Sequence, residues 1–207
     1  MNELGIEALR ATREAIPIHA KTFIMSTWHD EVLDAVGNVC GTALCIGGHM
    51  ANYLGYSVPM NGPRIGMFVS PNGEGVCIER ILENNFGAMQ NLWIFHLYAW
   101  PKHLVDLFGS GQRVEAAQKV IDLFIAMWEL NHGATGALYY GACGDERLWS
   151  PMLKGIASVR EFTAVDVEEI INLADEARLK KQRRATVEVA AIQLLTPIDS
   201  TEVVTNE

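Results

Sequence analysis

Between Arg113 and His132 the chain has neither glycine nor proline, and its apolar residues recur at helical spacing. Val114, Ala117, Ile121, Phe124 and Trp128 form one continuous stripe, and Gly133 stands just beyond its end. It is the clearest helix in the sequence, and it sets the expected class: mainly α, a compact multi-helix globule with at most a short β-hairpin. A hydrophobic fraction of 49% beside a charged fraction of 20% is enough to bury a core. The 207 residues are read as a helical core over residues 1–132, a C-terminal helical extension over 133–195 and a flexible tail over 196–207.

Other segments are placed by their punctuation. Glu3 to Ile16 predicts a first helix ended by Pro17. Thr27 to Glu31 looks like a helix entry, with His29 on its polar side. Thr42 is the expected N-cap of a helix over Ala43 to Leu54, closed by Gly55, and this is taken as the helix the fold is built around. Ser57 to Gly75 is a long loop holding a short strand over Ile65 to Val69 and a turn at Pro71-Asn72-Gly73. A helix is preferred for Val76 to Asn85, with a hairpin through Val76-Cys77-Ile78 as the other reading. Ala88 to Tyr98 predicts an apolar helix, and Trp100-Pro101 opens another that Gly109 closes. Gly133 to Gly144 is a glycine-rich connector, and a short helix interrupted by Pro151 follows. Thr163 caps a last long helix with Asp166 three residues on, its stripe being Val167, Ile170, Ile171, Ala174 and Ala177. Val187 to Leu195 continues that helix or forms a strand.

Chemistry concentrates between Asn38 and Tyr56, which hold two of the four cysteines, one of the six histidines and four glycines. A cysteine just before a helix N-terminus meets free amides that favour the thiolate, which points to Cys40. Cys45 and His49 stand four apart and would share one helix face. Three readings follow. In the first, both cysteines are small fillers where a helix packs closely, Gly47 and Gly48 permit that approach, and His49 is a core-edge histidine. In the second, Cys40, Cys45 and His49 hold zinc, with His29 or Cys77 as fourth ligand. In the third, Cys40 or Cys45 is a nucleophile with His49 as base, oriented by Asn52 or Asp30. The first is preferred, because no complete catalytic constellation accompanies the trio.

A second cluster, Arg178, Lys180, Lys181, Arg183 and Arg184, ends the predicted last helix. It reads as a solvated turn suited to the helix dipole, or as a docking patch for an acidic partner. The net charge of −9 argues against nucleic-acid binding, and no apolar run reaches membrane-spanning length. An acidic N-terminal stretch does not read as a secretory signal, and sparse cysteines fit reduced thiols, so a cytoplasmic protein is expected.

The segments Phe23-Ile-Met-Ser-Thr-Trp28 and Cys40-Gly-Thr-Ala-Leu-Cys-Ile-Gly-Gly-His49 resemble a pattern in small proteins of bacteriophages and bacteria. There a Trp segment precedes Cys-Gly-Thr-x-x-Cys-x-Ala-Gly-His/Trp and a glycine-ended helix. Leu92-Trp93 and Trp100-Pro101 look like that family's later features, and the resemblance spans Ile18 to Ile125. Gly47 departs from the usual alanine. Tryptophan at the histidine position, which the family accepts, could serve neither as ligand nor as base. The resemblance therefore implies a context: an intracellular accessory protein, phage-encoded, acting on a host or defence component by contact. No cofactor is expected on this reading, and self-association through an apolar helix accompanies it. Two alternatives stand beside it. One is a Cys/His metal protein or thiol enzyme. The other is a small-ligand sequestering protein framed by the Ser57–Gly75 and Gly133–Gly144 loops.

Overall fold

The computed structural model describes residues 1–18, 23, 25, 29–33, 39–59, 67–87, 93–130 and 159–195. The helices are α1 (Glu3–Ile18), α2 (Ile46–Tyr53), α3 (Ile78–Phe86), α4 (Lys102–Gly109), α5 (Arg113–Leu130) and α6 (Ala164–Leu195). Two antiparallel hairpins join them: β1 (His29–Leu33) with β2 (Val39–Leu44), and β3 (Met67–Val69) with β4 (Gly75–Cys77). The fold is mainly α, as the apolar periodicity predicts.

The core centres on α5, where the Cys-Gly-Thr helix was expected. Ala116, Ala117, Val120, Ile121 and residues 123–127 are buried, so apolar side chains leave α5 in nearly every direction. A helix apolar on all sides must be enclosed, and α1, α4, α6 and the 3-10 turn Trp93–Phe95 pack against it. Trp93 lies on Phe124 with ring centroids 5.5 Å apart. Val159, Phe162, Val167, Ile170 and Ala174 join the same core from the C-terminal segment. Of the predicted α6 stripe, Ile171 is half-buried and Ala177 is exposed.

α1 runs through Pro17, one residue beyond the predicted stop. Proline lacks the N–H that would bond the carbonyl four residues back. The Gln118 side chain, on α5, takes over that role and donates Nε2 to the Arg13 carbonyl at 3.2 Å. At the other end the Asn2 side-chain oxygen accepts from the Gly5 amide at 2.9 Å, an N-cap bond. The Asn2 amide in turn donates to the Phe86 carbonyl at 2.7 Å, and Trp128 Nε1 donates to the Met1 carbonyl at 3.3 Å. The start of the chain is thereby fixed between α3 and α5.

Several boundaries differ from expectation. Val76 and Cys77 belong to strand β4, and the helix starts only at Ile78. Gly87 does close it, in the left-handed conformation at φ 59°. The predicted helix over 88–98 is instead two 3-10 turns, Trp93–Phe95 and Leu97–Ala99, within the described part of that segment. The Trp100 indole reaches back to the Ile94 carbonyl at 3.0 Å. That bond secures a backbone oxygen which an α-helix would have bonded internally. The Thr163–Asp166 capping box forms as predicted: Thr163 N donates to Asp166 Oδ2 at 2.7 Å, and Asp166 N donates to Thr163 Oγ1 at 3.3 Å. Val187 to Leu195 continues α6. The predictions for residues 131–158 and for the 196–207 tail lie outside the described residues.

Candidate functional site

The Cys-Gly-Thr stretch divides differently from the sequence reading. Thr42, Ala43 and Leu44 are strand, and the helix begins at Ile46 with Cys45 as its N-cap. β1 supplies the reason. It covers what read as a helix entry, and His29 pairs with Leu44 while Glu31 pairs with Thr42. Pairing along β2 satisfies backbone groups that a longer helix would otherwise have held. Val32 faces Gly41 and Leu33 faces Val39, so Cys40 is the extra residue of a bulge. Cys40 is therefore a strand residue, and the helix N-terminus expected to act on it belongs to Cys45. The side chains of Cys40 and His29 lie outside the described residues.

Cys45 has extended backbone, φ −84° and ψ −178°, so it does not share a helix face with His49. Its sulfur accepts a hydrogen bond from the Gly48 amide at 3.4 Å, the role usually held by a Ser, Thr or Asp oxygen. Its carbonyl accepts from the His49 amide at 2.9 Å. Gly47 and Gly48 thus lie in the first turn of α2, not mid-helix as expected, where the conformational cost of glycine is smaller. Cys45 is only 4% exposed. Burial pushes its thiol up to about 11, outweighing the lowering by the amide hydrogen bonds of Gly48 and Gly47. A nucleophilic cysteine needs the opposite shift.

His49 is 5% exposed and lies in an aromatic chain. Its ring is 6.2 Å from that of Phe23, Phe23 meets Phe108 edge-on at 6.1 Å, and Phe108 meets Trp100 edge-on at 5.8 Å. The Arg113 guanidinium covers Phe108 at 5.7 Å from the ring centre. Phe23 bridges the backbone of Leu44, so this chain ties the motif to α4 and to the start of α5. Cys77, the other potential fourth ligand, is half-buried at the N-cap of α3. Among the described residues no three His, Cys, Asp or Glu side chains are grouped to hold a metal.

The basic cluster lies on α6. Arg178 is drawn toward α5: its Nε is 2.7 Å from Glu129 Oε2, and its Nη2 is 2.9 Å from Asp175. Glu129 also accepts from Arg10 of α1 at 2.7 Å, so one carboxylate joins three helices. Lys180 lies 3.7 Å from Glu176. Lys181, Arg183 and Arg184 are exposed and have no ion-pair partner among the described residues. Sequence reasoning missed the Glu129 junction, because its members are far apart in the chain. A groove of about 680 Å³ beside it is lined by Arg10, Arg13, Asp122 and Arg178. Its charges pair internally, Arg13 Nε with Asp122 at 2.6 Å among them.

Among the described residues no helix is long and apolar enough to cross a membrane. Comparison with protein-family models, curated proteins and solved structures finds no match to the chain.

Proposed function

We propose that this chain is a non-enzymatic, phage-encoded accessory protein of the host cytoplasm that acts by binding a host or defence component. The observation that carries the proposal is the use made of Cys45. The described thiol of the motif caps a helix and is held protonated inside the core. His49 packs against Phe23 beside it. Both side chains serve the joint between the β1–β2 hairpin and the helices, and surface contact is then the simplest activity left. α6 supplies the surface, since its residues 178–186 are exposed and carry cations on an acidic protein.

The test uses the intact chain immobilised in host lysate, beside a Lys180→Glu/Lys181→Glu variant. Stoichiometric capture of one component by the parent chain, lost in the variant, is the expected result. Elemental analysis of the purified protein is the counter-test. About one equivalent of zinc, absent from a Cys45→Ser variant, would replace this reading with a metal site.

A further inference from the structure

α6 has two opposite faces, and among the described residues only one of them is packed. Val167, Ile170 and Ala174 are buried toward α5. Half a turn away, Val165, Glu169, Asn172, Glu176, Leu179 and Arg183 recur at spacings of four and three, so they share one stripe of the helix surface in which charged side chains alternate with Val165 and Leu179. Val165 is 73% exposed and Leu179 52%, two of the few large apolar side chains left in water among the described residues. An open groove of about 600 Å³ is lined on this side of α6 by Val165, Glu168, Glu169, Asn172, Leu173 and Glu176.

Charge is divided along the same helix. From Asp166 to Glu176 every charged residue is acidic, and from Arg178 to Arg184 every one is basic. The ion pairs Lys119–Glu168 and Arg178–Glu129 advance together along both helices, so α5 and α6 run parallel. α5 stops at Leu130, beside Arg178, and α6 continues for roughly 25 Å at about 1.5 Å per residue. The basic half thus runs beyond the described end of α5, while the acidic half lies alongside it.

We propose that the outer face of α6 pairs antiparallel with α6 of a second copy of this chain. A twofold axis at Glu176 places Leu173 against the partner's Leu179, Glu169 against its Arg183 and Glu168 against its Arg184. Leu173, beside the stripe, and Leu179, on it, then meet on each side of the axis, and the acidic half of each helix lies on the basic half of the other. This is the self-complementarity that an isologous contact requires. Lys180 of the same helix stands 3.7 Å from Glu176 and offsets the two carboxylates at the axis. A second copy also fits better than a polyanion, because an acidic body repels nucleic acid or anionic lipid while its own acidic half-helix attracts the basic one.

The inference rests on α6 as a contact surface and not on the identity of any host partner. Sedimentation equilibrium of the full chain from roughly 5 to 500 µM should show a monomer–dimer equilibrium. Glu169→Arg alone and Arg183→Glu alone should each weaken it by about tenfold or more, since each places like charges opposite. An equimolar mixture of the two should regain the parent affinity, because every pair in the mixed dimer is again opposite in sign. A single chain carrying both reversals should do the same and stands in where one single variant fails to fold. A parent chain that is monomeric throughout, or reversals that do not rescue each other, would overturn the pairing. If that occurs while α6-dependent capture from lysate persists, the binding-protein reading survives and this inference does not.

Discussion

Thr12 offers the sharpest test of how the core is built. It lies on the inner side of α1, 2% exposed, and its hydroxyl oxygen has no hydrogen-bond partner among the described residues. A hydroxyl withdrawn from water without a partner costs about 1–3 kcal/mol. Thr12→Val keeps the branched shape, changes helix propensity little, and exchanges the hydroxyl for a methyl whose burial is worth up to about 0.8 kcal/mol. The expected result is a gain of about 1–2 kcal/mol, or a rise in Tm of about 3–6 °C for a chain of this size. Urea titration should show a higher midpoint with an unchanged slope. Thr12→Ser is the control: it keeps the unpaired hydroxyl, loses the methyl, and should cost about 1 kcal/mol. A Thr12→Val variant less stable than the parent by more than about 0.5 kcal/mol would refute the reasoning. It would show that the hydroxyl bonds the preceding turn or an internal water, so that this face of α1 is not dry.

Other outcomes follow from particular contacts. A Cβ at Gly5 would meet Met1 Cγ and lie 3.1 Å from Phe86 Cβ. Overpacking of about 1–3 kcal/mol should therefore exceed the helix-propensity gain of about 1 kcal/mol, and Gly5→Ala should lower the urea midpoint. Gln118→Ala strands the Arg13 carbonyl and should cost about 1 kcal/mol, but less in a Pro17→Ala background that restores an N–H, a non-additivity a double-mutant cycle would read. Cys45 should resist alkylation at pH 8, while half-buried Cys77 is labelled before it; peptide mass spectrometry separates them, and rapid native labelling of Cys45 would contradict a thiol raised to about 11. The Asp166 carboxyl is held below its ordinary range chiefly by the Thr163 hydroxyl and amide. Its stabilising share is complete above the ordinary carboxylate range and is lost as pH falls through the depressed value, so Asp166→Asn should flatten the acid limb of a Tm–pH profile.

The sequence was most legible where one local rule acted alone. α5 and its stripe, the glycine closing α3 and the Thr163–Asp166 box all follow from spacing or capping chemistry that needs no distant partner. It was least legible where a distant strand competed for the same backbone. Residues 42–44 read equally well as the start of a helix, and only the β1 pairing partner makes them a strand. The geometry expected around the candidate site changes for the same reason. Moving the helix start from Ala43 to Ile46 turns Cys45 from a helix-face residue into a cap and takes Cys40 away from the dipole. The seam on α6 was visible in principle, as a four-three spacing with acids before bases. The inner stripe of the same helix gives the stronger signal because it is the more apolar of the two.

Gly47 and Gly48 connect these levels. They supply the amides of the first turn, and one of those amides is the donor that the Cys45 sulfur accepts. A thioether-sized sulfur is a weaker acceptor than a hydroxyl oxygen, but it tolerates enclosure that would leave a serine half-satisfied. A capping serine here would have to desolvate a stronger dipole, whereas the cysteine gives up part of the cap energy and gains apolar burial. The neighbouring packing agrees, since Ile46, Met50 and Ala51 are wholly buried around it and His49 rests on Phe23. A thiol selected for that compromise is kept protonated by the same burial. The Cys45 thiol, reactive by its place in the sequence motif, is therefore the one whose reactivity burial suppresses.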